Sequence, residues 1–152
     1  MQMRQGVATW QSAGAQSGVP HGLSLIAEAF GNANQVEEGL RVITEALEHI
    51  NRTRERIWEA ELYRLRGDFL LKPVIKNEQE AETCFHQALK IARYQQAKFW
   101  ELRATTSLAR LWQSQGKREE ARELLTPVYS WFTEGFDTAD LKDAKSLLDA
   151  LA

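Results

Sequence analysis

The side chains able to do chemistry are few and scattered. The histidines are His21, His49 and His86, and no H-E-x-x-H pair occurs among them. Cys84 and His86 stand two positions apart, so on a helix they point to different faces and do not share a metal readily. Cys84 beside Phe85 reads as a small packing residue rather than a nucleophile. Carboxylates cluster at Glu37-Glu38, Glu119-Glu120 and Asp137-x-x-Asp140, and each cluster reads as a solvated helix start, where acids suit the dipole. Gly116-Lys117 is followed by Arg118 and lacks the upstream glycine of a phosphate loop. Arg52, Arg54 and Arg56 form the densest basic patch, but Glu55 interrupts it and a solvated joint is the simpler reading. The expectation is no catalytic residue, no metal site and no cofactor.

Composition agrees. The 152 residues carry 21 acids and 19 Lys and Arg, a formal charge of −2, which does not recruit nucleic acid or an anionic membrane. One cysteine excludes an internal disulfide and fits a reducing, cytoplasmic compartment. No apolar run is long enough to span a membrane. With 9 Gly and 3 Pro, and many Ala, Leu, Glu, Gln, Arg and Lys, the chain is all-α in character.

The elements that must position any site come from a repeat. Leu23-x-x-Ile26-Ala27-x-x-Phe30, Tyr63-x-x-Arg66-Gly67-x-x-Leu70 and Thr105-x-x-Leu108-Ala109-x-x-Trp112 superpose. Each is followed by a second pattern: Gly39-x-x-x-Ile43-x-x-Ala46, Ala81-x-x-x-Phe85-x-x-Ala88 and Ala121-x-x-x-Leu125-x-x-Val128. Gly67 follows Ala27 by 40 positions, and Ala109 follows Gly67 by 42. Small residues let two antiparallel helices approach, and large ones fill the space between pairs.

This pattern resembles the tetratricopeptide repeat, W-x-x-L-G-x-x-Y then A-x-x-x-F-x-x-A. It departs from it at Arg66, at the consensus glycine kept only by Gly67, and in a period longer than the usual ~34. HEAT repeats share the longer period, and a generic helical bundle is the plainer alternative. The resemblance implies a right-handed superhelix of TPR-like hairpins. The expected units are a half-hairpin over 1–18, repeats over 20–54, 55–95 and 97–135, and a cap helix over 137–152.

Within these units, helices are expected from Pro20, over Gln35 to Ile50, from Glu55 to about Leu71 and from about Asn77 to Tyr94. Further helices are expected over Ala97 to Gln115 and Lys117 to about Phe132. Asn51 to Arg54 reads as a polar joint, and Lys72 to Lys76 as an insertion that Pro73 keeps out of helix. Gly116 reads as a turn, and Pro127 should kink its helix. Asp137 or Thr138 should cap a last helix whose apolar face is Leu141, Ala144, Leu147, Leu148 and Leu151. Trp58 and Trp100 precede Gly67 and Ala109 by the same interval, so inter-repeat packing is expected, with an exposed peptide anchor as the alternative.

In tetratricopeptide proteins the first helices line a concave groove that takes peptides. By that resemblance the groove residues here are Ser24, Glu28, Glu61, Arg64, Asp68, Arg103, Thr106 and Arg110. An acidic group near Arg103 and Arg110 would suit it. The Lys and Asn set of a chaperone-binding carboxylate clamp is absent from these positions.

Three segments narrow the resemblance: Trp58 to Gly67, Glu101 to Trp112 and, most specifically, Val128 to Leu141. They resemble the C-terminal repeat region of bacterial predicted ATPases coupled to class III adenylate/guanylate cyclase or DNA-binding domains. The resemblance implies a non-catalytic, protein-binding, sensing or regulatory segment whose upstream domains lie beyond this chain. The leading half-hairpin then reads as the remnant of a longer array. A free-standing adaptor that homodimerises through its N-terminal edge is the alternative, and a small hydrolase or metal enzyme is a third class for which no constellation is found.

Overall fold

The computed structural model describes residues 19–152, and these form seven helices with no strand. They are α1 (Val19–Asn32), α2 (Val36–Thr53), α3 (Glu59–Leu70), α4 (Glu78–Tyr94), α5 (Lys98–Ser114), α6 (Arg118–Trp131) and α7 (Ala139–Leu151). The half-hairpin expected over 1–18 lies outside the described residues.

Helix pairs form where the small residues sit. All nine positions of the second-helix pattern, from Gly39 to Val128, are buried. Phe85 is fully buried against Gly67, and a β-carbon on that glycine would stand within 3.0 Å of Cε1, Cδ1 and Cζ of the ring. Phe69 fills the equivalent slot between Gly31 and Gly39, so the second pair is keyed into the first. Close backbone approach here depends on the absence of a side chain.

The core divides into three clusters. The first joins α1 and α2 to Leu62, Leu65 and Phe69 of α3. The second joins α4 to Leu70 and to Ala104, Leu108 and Leu111 of α5. The third joins Leu102 and Ala109 of α5 to α6 and to Leu141, Ala144, Leu147 and Leu151 of α7. Leu40 and Ile75 pack against the first two clusters, and Trp112 packs against the last two.

Among the described residues each helix touches its sequence neighbours. Beyond that, α1 touches α3, α3 touches α5, and α5 touches α7, whereas the second helices α2, α4 and α6 do not touch one another. The first helices therefore form one close layer. The helix α7 meets both α5 and α6, as α5 meets both α3 and α4, so it occupies the place of a fourth first helix.

Each of the six joints contains one left-handed residue: Asn34, Arg54, Lys76, Gln96, Gly116 and Gly135. Only the last two are glycines, the residue type that adopts this conformation without strain.

Several boundaries differ from expectation. The segment Asn51–Thr53 is helical rather than a joint: Arg52 suits the C-terminal dipole, and the Thr53 hydroxyl donates to His49 O at 2.9 Å. Arg54, at φ 61°, then reverses the chain, and its N–H donates to Ile50 O. The next helix starts at Glu59 rather than Glu55, because Glu59 N–H closes a turn onto Arg56 O. Asn77 caps α4 instead of beginning it: its Oδ1 accepts from Glu80 N–H, and its Nδ2 donates to Glu80 Oε2, both at 3.1 Å. Thr138 holds the capping position of α7 but makes no side-chain cap bond. The helix α6 continues through Pro127 to Trp131.

Candidate functional site

On the first-helix layer, α3, α5 and α7 bring their charged side chains together. Arg64 is the centre. On α3 it lies one turn after Glu61 and one turn before Asp68, so all three share a face. Its Nε donates to Glu61 Oε2 at 2.9 Å, and Nη2 donates to Oε1 at 2.5 Å, a bidentate pair in which Glu61 is 2% exposed. Its Nη1 donates to Asp68 Oδ2 at 2.6 Å and lies 3.5 Å from Ser107 Oγ on α5.

Arg103 carries the network onward. Its Nη1 stands 3.0 Å from Glu61 Oε1, and its Nε stands 3.5 Å from Asp140 Oδ1 on α7. Two turns along α5, Arg110 Nη2 donates to Asp143 Oδ1 at 2.6 Å. Thr106 and Ser107 lie between the two arginines, and the Thr106 hydroxyl donates to Leu102 O. Arg64, Arg103, Thr106, Ser107, Arg110, Asp140 and Asp143 line a polar cleft of about 70 Å³. It adjoins a wider depression of about 240 Å³ that shares Ser107 and Arg110 and includes Asp68 and Glu78.

Burial and charge oppose each other at Arg64. Burial alone would lower its pKa, but the hydrogen bonds and charge of Glu61, with Asp68 and Glu28, hold it above the ordinary arginine value. Asp68 sits at the mouth with 38% of its side chain accessible, yet the protein around the carboxyl removes enough water to push its pKa up. Glu61 adds to that shift, whereas Arg64, Arg110 and the Ser107 hydrogen bond oppose it.

Of the eight residues expected on this face, Glu61, Arg64, Asp68, Arg103, Thr106 and Arg110 converge here. Glu28 acts on Arg64 through its charge. Ser24 does not join them: it is buried, and its hydroxyl donates to His21 O at 2.7 Å. Ser107, Asp140 and Asp143 were not among the residues expected on this face; Asp140 was read only as a helix-start carboxylate. Ser107 is adjacent to Thr106 and could have been found from the tight first-helix spacing, whereas the two aspartates depend on how α7 packs.

The other chemistry-bearing residues stay apart. Cys84 is buried, and burial pushes its thiol pKa up, away from nucleophilic character. His86 is exposed beside Glu82 and Trp112. No group of three or more His, Cys, Asp or Glu among the described residues is placed to hold a metal ion. No helix among them is long and apolar enough to cross a membrane. Trp58 and Trp100 meet at 5.2 Å between centroids, and His21 stacks on Trp58 at 4.0 Å, so the three lie in one aromatic row across the three pairs. No protein-family model matches the chain, and a search of curated proteins finds no match.

Proposed function

We propose that this chain is a non-catalytic protein-interaction module, a right-handed superhelix of TPR-like hairpins that holds a peptide or protein segment along its first helices. The observation that carries this reading is the row of Arg64, Arg103 and Arg110 along one cleft of the first-helix layer. Contact among first helices, without contact among second helices, supports curvature with the first helices inside. Groups at such a groove bind by complementarity and need no reacting centre. The likeness of Val128 to Leu141 to the C-terminal repeats of bacterial signalling ATPases and cyclases supports a sensing or regulatory segment of such a protein. In that setting a partner acts on upstream domains only by binding their states differently.

Selection from a phage-displayed random peptide library tests the groove. Selected peptides should lose binding to Arg103→Glu and to the milder, exposed-site Arg110→Glu variant. A selection that yields no binder, or binders indifferent to both changes in folded protein, overturns the groove. Light scattering on the same samples should give a monomer; a dimer would favour the adaptor with an N-terminal interface.

A further inference from the structure

The cleft arginines are already engaged by the chain itself. Asp140 and Asp143 both come from α7, and they meet Arg103 and Arg110, the two arginines of α5. These contacts are not what fixes α7. Its attachment is apolar, through buried Leu141, Ala144, Leu147 and Leu151, and Arg118 donates to the carbonyls of Ala150, Leu151 and Ala152 at its end. The carboxylates instead stand at the cleft with partial exposure: 28% of the Asp140 side chain and 53% of the Asp143 side chain are accessible. Both can leave their arginines by rotating, while the helix stays docked.

Arg103 and Arg110 are also unlike Arg64. The Arg64 guanidinium is tied to two carboxylates on its own helix and is almost out of solvent. Arg110 is half exposed, with Asp143 as its one ion-pair partner among the described residues, and Arg103 makes its α7 contact at a long 3.5 Å. The two lie seven positions apart on α5, about 10 Å along the helix axis. Hydroxyls of Thr106 and Ser107 lie between them.

We infer that the partner of this cleft is an acidic peptide, and that Asp140 and Asp143 of α7 act as a built-in competitor that its carboxylates must displace. This inference rests on the groove reading proposed above. The chain's own aspartates supply the evidence for ligand chemistry, since the same arginines hold carboxylates in the unliganded protein. Exchange of one carboxylate for another leaves the buried Glu61–Arg64 pair intact, so no buried charge is stranded, and the displaced Asp140 and Asp143 carboxylates turn to solvent at their partly exposed positions. Affinity is then set by competition: the internal aspartates are always at hand, so only a partner offering more than one carboxylate gains over them.

The test uses a fluorescein-labelled peptide of alternating Glu and Ala, ~12 residues long so that an extended chain spans both arginines. A Gln-and-Ala peptide is the uncharged control. Anisotropy titrations at low salt compare wild type with the Asp140→Asn/Asp143→Asn variant, whose apolar α7 face is unchanged. Binding of the Glu peptide should tighten about tenfold in this variant, the size expected when two partly exposed ion pairs stop competing. Glu119→Gln/Glu120→Gln makes the same change in net charge on α6 and should leave affinity near wild type. Adding Arg110→Glu to the aspartate variant should abolish the gain.

Equal tightening in the α6 variant overturns the competition, since net charge alone would then explain it. A Glu peptide that binds wild type and the Asp140→Asn/Asp143→Asn variant alike, and still needs Arg110, overturns the competitor but leaves the groove standing. Absence of Glu-peptide binding in every variant overturns the acidic partner. If the aspartate variant tightens but Arg110→Glu has no effect, the groove reading itself fails. The single Asp143→Asn variant, at the more exposed position, should show part of the gain and guards against a fold defect in the double variant.

Discussion

Arg103 stands 3.0 Å from Glu61, its counterpart one repeat earlier, and this pair ties α5 to α3 through a carboxylate that Arg64 also holds. Glu61 thus neutralises two guanidinium groups at once, in a place where water is nearly excluded.

Glu61→Gln should therefore be the most damaging single change at the cleft. Asp68 still pairs with Arg64, but the bidentate partner of a buried cation is gone. We expect a loss of about 3 kcal/mol in urea unfolding, at the lower end for a broken buried pair. Arg110→Gln, at the half-exposed end of the same face, should lose less than about 1 kcal/mol.

Asp68 gives a pH signature. Its pKa is raised in the folded protein, so the folded state holds this proton more tightly than the unfolded chain. The associated stability is fully present below the unfolded value near 3.8 and is lost as pH rises through the folded value. Asn cannot titrate. Asp68→Asn should therefore gain on wild type as pH climbs through the carboxylate range above 3.8, measured by denaturant unfolding at a series of pH values.

Gly67→Ala places a methyl group where the Phe85 ring already lies. Alanine is the better helix former by about 1 kcal/mol, but overpacking against a fully buried ring costs about 1–3 kcal/mol. Overpacking wins, and thermal unfolding should show net destabilisation. Phe85→Leu should recover part of the loss in a double-mutant cycle.

His49 is 1% exposed, and neither ring nitrogen has a hydrogen-bond partner among the described residues. A buried polar group without partners carries a desolvation cost. His49→Leu removes both polar atoms at similar volume and should stabilise the protein by about 1 kcal/mol in urea unfolding.

The helix pairs were legible because close packing leaves a mark on composition: Gly39 and Gly67 are small where Phe69 and Phe85 must fit. Most of the cleft was legible for a related reason. Glu61, Arg64 and Asp68 follow helical spacing on one face, and Arg103, Thr106 and Arg110 repeat that spacing on α5. Asp140 read as a helix-start carboxylate, which it also is. Its second role needs the position of α7 over α5, a tertiary fact with no local trace. The left-handed residues at the joints were hidden differently. Asn34, Arg54, Lys76 and Gln96 adopt left-handed geometry without being glycine, because packing on both sides fixes where the chain must turn.

That geometry carries its own test. Gln96→Gly removes the strain of a side chain at φ 54°, at the cost of a more flexible unfolded chain. Relief of ~1–2 kcal/mol outweighs the entropy term, so thermal stability should rise.

The three core clusters meet through shared side chains: Leu40 and Ile75 at one junction, Trp112 at the next. Mechanically, this is a leaf spring rather than a solid block. Helices α3 and α5 each contribute to the clusters on both sides of a junction, so flexure is expected as a small rotation about these two helices rather than a deformation of the packed clusters. Such flexure would change the spacing between α3, α5 and α7, and a ligand lying across all three would stiffen the spring along its length.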